Sequence, residues 1–178
     1  MATSKWVLDP AHSEIQFKVR HMMISNVTGS FSKFDATAET EGEDFTTAKA
    51  AFTAETDSLS TGNEPRDGHL KGPEFLDSAK FPQIRFTPTK YENIGDDGSY
   101  VILGDLTIRD VTKPVKLEVE FGGVIKDPWG NIRAGMTVSG KINRKEFGLV
   151  WHQVTEAGGL VVGDEVRLHA GLEFVKQV

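Results

Sequence analysis

Residues 57–77 read DSLSTGNEPRDGHLKGPEFLD, and here the alternation of apolar and polar residues that marks the flanking sequence stops. Asn63 is a good N-cap for a helix, and Pro65 suits the first turn of that helix. Gly72-Pro73 then ends it, because proline cannot continue a helix. We therefore predict a short helical insertion near residues 63–77, placed between strands.

The rest of the chain is typical of long strands with one buried face. Ile15, Phe17 and Val19, for example, alternate with polar residues. We count eight strand candidates, several of roughly 11 to 14 residues, where about 5–6 is usual. Eight such strands close into a barrel just wide enough for side chains or one slender ligand. Small inward residues leave space, so we predict a long, apolar, partly hollow interior; they are Ala50, Ala54, Ala134, Gly140 and Ala170.

Three local features complete the predicted strand order. Trp6-Val7-Leu8 forms a short lead-in before the first long strand. His21-Met22-Met23-Ile24 breaks the alternation and could form a short helical turn. The inward parity changes between Phe31 and Phe34, which one extra residue in a β-bulge would explain.

A second bulge is predicted at Gly104. Val101 and Leu103 hold one parity, whereas Leu106 and Ile108 hold the other. Glycine inside a strand often marks such a bulge. This interpretation places all four apolar side chains on the inward face.

Length, composition and charge exclude several classes of protein. A chain of 178 residues is one ordinary domain, which we assign to residues 1–178. There is no cysteine, so neither disulfide nor thiolate chemistry is available. A net charge of −6 argues against a nucleic-acid partner, which would favour a basic surface. The N-terminus has no apolar signal core and no run approaches the roughly 20 residues of a membrane span, so we expect a cytoplasmic protein.

A series of motifs runs in order through nearly the whole chain. They include Asp9-Pro10-Ala11-His12-Ser13, Gly29-x-Phe31, Arg66-Asp67-x-His69-Leu70, Phe81-Pro82-x-Ile84-x-Phe86, Thr112-Lys113-Pro114-Val115, Asn143-Arg144-x-x-Phe147-Gly148-Leu149 and Gly163-Asp164-Glu165-Val166. Together they resemble the YceI-like family of polyisoprenoid-binding, lipocalin-like proteins. The resemblance implies an all-β fold, an elongated eight-stranded antiparallel lipocalin-like barrel that holds a long isoprenoid or another lipid chain.

We therefore expect a binding protein and not an enzyme, one that carries or stores a polyisoprenoid, an isoprenoid quinone or a similar lipid in the barrel tunnel. Each buried methylene contributes about 0.8 kcal/mol, so a tunnel needs few polar contacts. We expect no cofactor besides this lipid, and transient membrane contact during lipid transfer. A homodimer is compatible with the sequence. The pattern alone would favour a solid aromatic core; strand length, small inward residues and the resemblance together favour a cavity.

The predicted ligand-binding residues face inward along the strands or lie at the barrel mouth. They are Phe17, Val19, His21, Phe31, Phe52, Arg66, His69, Phe86, Leu106, Ile108, Leu117, Val119, Met136 and Trp151.

Arg66, Asp67 and His69 on the predicted helix allow three interpretations. In the structural one, Arg66 and Asp67 tie the helix to neighbouring strand ends and His69 has a backbone partner, since structural ion pairs commonly imitate sites. A second places Arg66 or His69 at the barrel mouth, where the arginine fork would bind a ligand's phosphate. The alternative function is an enzyme that acts on an isoprenoid lipid with these three groups. A stress-linked barrel without a ligand is a further class.

The five histidines show no pair at the spacing of a helical zinc site, so we predict no metal site. A site assembled from distant histidines stays as the minor alternative. His169 has outward parity and is predicted at the surface. His21 has inward parity, so it is either a mouth residue or a buried, hydrogen-bonded one.

The segment 147–160 has too many apolar residues for a plain connecting loop, among them Phe147, Leu149 and Trp151. Gly158-Gly159 gives its backbone the freedom to move. We expect the segment to gate the tunnel or to touch a membrane during lipid transfer; the alternative is that it folds back as fixed core at one end of the barrel.

Overall fold

The computed structural model describes residues 2–151 and 162–178. The strands are β1 (Thr3–Leu8), β2 (Glu14–His21), β3 (Ser25–Phe31), β4 (Phe34–Glu41), β5 (Asp44–Glu55), β6 (Leu59–Ser60), β7 (Gln83–Glu92), β8 (Ser99–Ile108), β9 (Val111–Lys126), β10 (Ile132–Asn143) and β11 (Val162–Lys176). The α-helix α1 (Glu64–Lys71) lies between β6 and β7. In the described part of the chain, no helix combines the length and apolarity needed to cross a membrane.

The strands close into an antiparallel barrel with eight positions. Around the ring the order is β1, β4, β5, β7, β8, β9, β10 and β11, and β11 pairs back with β1. The remaining three strands extend the ring at one end. β2 pairs with the part of β11 that β1 does not reach, β3 pairs with β2, and β6 pairs with β3. The predicted eight-stranded antiparallel barrel with a helical insertion is confirmed.

The barrel is elongated because its strands are long. β9 has 16 residues and β11 has 15. At about 3.3 Å per residue, each spans roughly 50 Å. A long barrel of only eight positions encloses a narrow interior, which suits a slender ligand.

The N-terminal segment contributes more than the predicted lead-in. Trp6 pairs with Ala38 on one side and with Lys176 on the other, so β1 is the strand that closes the barrel. The indole Nε1 of Trp6 donates to Oγ1 of Thr40 over 2.9 Å. Three residues were too few to predict a strand, since closure depends on partners 30 and more positions away along the chain.

The predicted helical turn after β2 is wrong. The ladder between β2 and β3 continues to the pair His21 and Ser25, so the backbone reverses within three residues. Met22 and Met23 have positive φ angles of 49° and 62°, as tight hairpin turns require. Both side chains are exposed, as is that of Ile24.

The β-bulge predicted between Phe31 and Phe34 is wrong, because the strand ends there and a break separates β3 from β4. Ser32 and Lys33 leave the ladder, and the carbonyl of Lys33 accepts the N–H of Glu55 at 2.8 Å. The break lets one chain segment serve two parts of the barrel, with β3 beside β2 and β4 beside β1.

The predicted bulge at Gly104 is wrong. Cavity-lining residues of β8 keep one parity from Tyr100 to Ile108, so Val101 and Leu103 are not on the cavity face. Gly104 belongs to the inward row, where a Cβ atom would lie only 2.5 Å from Cζ of Phe86. The extra residue lies in β7, where the register shifts between Pro88 and Lys90.

The helix α1 begins and ends as predicted. The side chain of Asn63 accepts the N–H of Arg66 at 3.0 Å, and Gly72 is the C-cap. The residues that follow, Glu74 to Asp77, form a turn whose Phe75 and Leu76 are buried. The insertion is thus attached to the barrel mainly through this turn.

Two hydrophobic clusters fill the two ends of the barrel. The cluster at the helix end includes Leu76, Ile108, Ile142, Phe147 and Leu149. The cluster at the opposite end, here called the Trp6 end, includes Trp6, Leu8, Phe45, Ala134 and Phe174. Members of both clusters, among them Ile108 and Phe174, also line a cavity inside the barrel.

Candidate functional site

The barrel encloses a cavity of about 210 Å³. Its wall combines aromatic and aliphatic side chains from most strands of the ring with several alanines. The alanines that line it are Ala36, Ala38, Ala48, Ala50, Ala51, Ala54 and Ala170. Alanine in place of a larger apolar residue leaves interior volume unfilled, and protein interiors rarely tolerate such voids without a use for them. The cavity is therefore the candidate binding site.

Half of the predicted ligand-binding residues line this cavity. They are Phe31, Phe52, Phe86, Leu106, Ile108, Leu117 and Met136. Of the small residues predicted to leave space, Ala50, Ala54 and Ala170 also line it, whereas Ala134 is wholly buried in the Trp6-end cluster.

Three predicted strand residues lie beside the cavity without lining it. The ring of Phe17 lies directly over Gly29, so close that no side chain would fit there, and contacts Phe31 with 5.7 Å between ring centres. Val119 is 1% exposed and packs in the helix-end cluster. Val19 is paired with Val27 on β3. Parity places a side chain on the inner face, but packing decides which inner side chains border the void.

The wall of the barrel has a gap between β5 and β7. The two strands pair only where Phe52–Glu55 faces Gln83–Phe86. Over residues 44–51 and 87–92 each strand stays paired with its other neighbour, and no ladder joins the two among the described residues. We call this gap the seam. The cavity reaches the wall there, because it is lined by Ala48, Ala50, Ala51, Pro88 and Tyr91.

Two tyrosines stand at the seam, and they are the only tyrosines in the sequence. The hydroxyl of Tyr91 on β7 donates across the seam to the carbonyl oxygen of Ala48 on β5 over 2.9 Å. The ring centre of Tyr100 lies 5.9 Å from that of Tyr91. Burial raises the pKa of Tyr91 to about 12 and raises that of Tyr100 as well. Both phenols are therefore neutral at physiological pH.

Arg66 and Asp67 are occupied by the segment that precedes α1. Nε and Nη2 of Arg66 donate to Oγ1 and the carbonyl oxygen of Thr61 over 2.7 and 2.9 Å. Oδ1 of Asp67 accepts hydrogen bonds from the N–H and the hydroxyl of Thr61 as well. Thr61 directly follows β6, so the two side chains tie the helix to the end of that strand, in agreement with the structural interpretation.

His69 has a side-chain partner in place of the predicted backbone partner. Its Nε2 lies 2.5 Å from Oε2 of Glu74. Its ring also makes edge contacts with Phe75 and with Trp151, with ring centres 5.1 and 4.8 Å apart. Neither His69 nor Trp151 lines the cavity. Together these residues hold α1 against the segment that follows Leu149.

The predicted gating segment divides into described and undescribed parts. Phe147 and Leu149 are buried in the helix-end cluster, so this part is fixed core. Residues 152–161, including Gly158-Gly159, lie outside the described residues. Phe147 and Leu149 therefore do not support a gate made by the whole of 147–160. They pack as the alternative interpretation expected.

Arg144 organises the base of this segment, a role that the sequence reasoning missed. Its guanidinium is buried and donates to the carbonyl oxygens of Leu149, Gly163 and Val162 over 2.6, 2.8 and 3.3 Å. Burial lowers the pKa of this guanidinium, with Asp164 at 3.8 Å acting in the opposite direction. The spacing of the two motifs that contain Arg144 and Gly163 was the feature of the sequence from which this role could have been inferred.

A second charged cluster lies toward the Trp6 end. Ligand-type atoms of Asp9, His12 and Glu173 lie within 4.8 Å of one another. Nη1 of Arg133 donates to Asp9 and to Glu173 over 2.8 and 2.9 Å. A guanidinium that already neutralises these carboxylates opposes a cation at the same place, so the cluster fits an ion-pair network better than a metal centre.

Two further histidines, His21 and His169, lie on strands of the barrel. His21 is half-buried at the end of β2, opposite Val162, and does not line the cavity. His169 is exposed on β11, as its parity predicts.

A closed antiparallel barrel with an apolar interior and a helical insertion defines a lipocalin-like protein. The YceI-like domain model matches residues 6–174 of this chain. UPF0312 protein SA2479 of Staphylococcus aureus is 39% identical over 173 residues, which cover 96% of this chain and 97% of that protein. The chain therefore belongs to the YceI-like family, and the resemblance stated from its motifs is confirmed.

Solved structures show the same fold. Burkholderia cenocepacia BcnA superposes with a TM-score of 0.79 at 20% identity, over 93% of this chain and 98% of that one. A polyisoprenoid binding domain from Saccharophagus degradans superposes with a TM-score of 0.66 at 14% identity, over 97% and 98% of the two chains. At these identities the likeness concerns the fold alone.

Proposed function

We propose that this protein binds a long-chain apolar ligand, a polyisoprenoid or isoprenoid quinone or a similar lipid, in the barrel cavity and carries or stores it. The observation that supports this most directly is an apolar cavity walled by alanines and aromatic rings inside an elongated barrel. Each methylene of a chain buried there contributes about 0.8 kcal/mol, so length alone provides affinity. The polyisoprenoid binding domain from Saccharophagus degradans, with the same fold, is consistent with this choice of ligand.

Binding explains the arrangement of polar groups better than catalysis does. The three groups of the enzyme hypothesis are engaged within the insertion, since Arg66 and Asp67 bond to Thr61 and His69 lies on Glu74. None of them lines the cavity. A general acid or base must lie within hydrogen-bond reach of the bond that it cleaves, and here that reach is filled by the protein itself.

The test compares two variants of adjacent residues on β5. Ala50 lines the cavity, whereas Lys49 is exposed. The purified parent should release a long-chain lipid into an organic extract, detected by mass spectrometry. Ala50→Phe should fill the void and release much less, while Lys49→Phe should release as much as the parent. Ala50→Leu serves as a milder block if the larger ring disturbs folding.

Equal lipid in Ala50→Phe, Ala50→Leu and the parent would contradict the proposal. Absence of any long-chain lipid from the parent, together with failure to bind added polyprenol, would also contradict it. Turnover of an isoprenoid ester or diphosphate that is lost in His69→Ala would favour the enzyme.

A further inference from the structure

We propose that Tyr91 and Tyr100 form a polar subsite at the seam, which hydrogen-bonds an uncharged head group, a carbonyl or hydroxyl oxygen, of the lipid in the cavity. The inference rests on the proposed function and adds to it the location and the chemistry of the ligand's polar end.

The seam is a place where a polar end can leave an apolar tunnel. The ladders from β7 through β11 join neighbouring strands over most of their length, and β11 is paired at one end by β1 and farther along by β2. At the seam four residue pairs join β5 and β7, and the cavity wall that β5 provides beyond them includes Ala48, Ala50 and Ala51. Pro88 has no N–H group, so it offers no donor with which to close the gap.

The hydroxyl group of Tyr100 gives further support for the subsite. Tyr100 lines the cavity, it is only 6% exposed, and its hydroxyl forms no hydrogen bond with another described residue. The hydroxyl oxygen is not among the fully buried, unpaired polar atoms of the described residues, so it stays accessible and its hydrogen is free to be donated. An acceptor on the ligand would take that hydrogen bond.

Tyr91 completes the subsite. Its hydrogen is given to Ala48, but a phenolic oxygen still accepts, so Tyr91 can take a hydrogen bond from a ligand hydroxyl. The raised pKa of each tyrosine keeps both phenols protonated at neutral pH. One free donor and one free acceptor, on adjacent rings, suit an alcohol or a carbonyl group.

The composition of the cavity wall opposes a phosphate head inside the cavity. No Lys, Arg, Asp or Glu is among the described residues that line it, and the histidine in the lining, His169, is exposed on β11. An anion moved into an apolar site without a paired cation would lose far more hydration energy than two phenols restore. Arg66, which would suit a phosphate, is engaged with Thr61 outside the cavity. The structure thus favours a neutral lipid over an isoprenoid diphosphate.

The experiment measures the binding of three probes of equal chain length to delipidated protein: geranylgeraniol, the hydrocarbon that lacks its hydroxyl group, and geranylgeranyl diphosphate. The unsubstituted protein should bind the alcohol most tightly and the diphosphate most weakly. Tyr100→Phe should weaken alcohol binding about five- to tenfold, as expected for one neutral hydrogen bond, and leave the hydrocarbon unchanged. The melting temperature of ligand-free Tyr100→Phe should not fall.

Tyr91→Phe is the companion variant, because it removes both the hydroxyl that donates to Ala48 and the oxygen that would accept from the ligand. It should lower the melting temperature of the ligand-free protein. Equal weakening of alcohol and hydrocarbon by Tyr100→Phe, no weakening of either, or tightest binding of the diphosphate would overturn the subsite while leaving the proposed function in place. Failure of all three probes to bind the parent would instead overturn the proposed function together with the subsite.

Discussion

Nε of Arg133 donates to Oδ2 of Asp127 over 2.7 Å, and so joins the start of β10 to the turn that precedes it. The carboxylate of Asp127 also accepts the N–H groups of Trp129 and Asn131, each at 2.9 Å. The turn is thereby held from both sides. Because Nη1 of Arg133 also reaches Asp9, the same guanidinium connects this turn to the segment that follows β1.

This network should make stability depend on pH. Hydrogen bonds from Arg133 hold the pKa values of Asp127 and Asp9 below the ordinary 3.8. A lowered folded-state pKa contributes stability above the ordinary value and loses it as the pH falls through the lowered value. Arg133→Met should therefore lower the melting temperature at pH 7 by several degrees, and the difference from the parent should shrink below about pH 4.

Thermal melts of both proteins from pH 2.5 to pH 8 provide the measurement. His12 also lies 2.8 Å from Asp9, so His12→Gln in each background separates the contribution of this contact from that of Arg133. A difference between Arg133→Met and the parent that stays constant from pH 8 down to pH 2.5 would show that the lost stability comes from packing and not from the ion pairs.

Arg144 should be among the side chains that the fold tolerates losing least. Arg144→Met would leave the carbonyl groups of Leu149, Val162 and Gly163 without their donor in a buried place. Each buried unsatisfied polar group costs about 1–3 kcal/mol, so the total should be roughly 3 kcal/mol or more. Urea unfolding provides the measurement, with Lys145→Met as control because Lys145 is exposed. A cost below about 1 kcal/mol would contradict the role.

Asp67→Asn should lower stability more than it lowers lipid binding. The carboxylate accepts two hydrogen bonds from Thr61, of which an amide oxygen retains a weaker version. We expect a loss of about 1–2 kcal/mol in unfolding free energy and less than a twofold change in lipid affinity. Asp57→Asn, on an exposed residue before the insertion, serves as control. Lost binding at an unchanged melting temperature would reassign Asp67 to the ligand.

Trp151 should hold the insertion in place. Its ring lies 4.8 Å from His69 and 5.4 Å from Phe75, centre to centre. Trp151→Ala should lower the unfolding free energy by roughly 1–2 kcal/mol, since aromatic pairs add to the burial of apolar area. Trp129→Ala, on a ring that is 81% exposed, should change it by less than about 0.5 kcal/mol.

The same pair of variants tests whether the segment after Leu149 moves during lipid exchange. If it does, Trp151→Ala should slow lipid exchange without unfolding the protein, and the fluorescence of Trp151 should shift on adding lipid to the parent. Unfolding of Trp151→Ala, with no fluorescence response in the parent, would place Trp151 in the fixed core and contradict gating.

Several features followed directly from local sequence. Asn63 and Gly72-Pro73 bound α1 because capping and proline chemistry act within one helical turn. The alternation around Ile15 and Phe17 identified β2 because the strand period of two is a backbone property. The small inward residues indicated a void, and Ala50, Ala54 and Ala170 line it, whereas larger neighbours pack around Ala134.

Other features needed partners that are distant in sequence. Val101 and Leu103 are as apolar as the residues that line the cavity, so the phase of β8 could not be assigned from hydrophobicity alone. Tyr91 and Tyr100 carry no motif, and their relation to Ala48 arises from a gap between strands that pair only at one end. Neither residue was among the predicted ligand-binding residues.

The amino-acid sequence by itself thus determined the class of fold, the position of the helical insertion and the apolar, roomy character of the interior, because these depend on local periodicity, capping and side-chain volume. The tertiary structure alone decided where the barrel closes, where its wall opens and which polar groups are left free. Closure through Trp6, the seam beside Tyr91 and the engagement of Arg66 by Thr61 each depend on which strand ends meet in space, and hydrogen bonds in a barrel join residues that no local pattern relates.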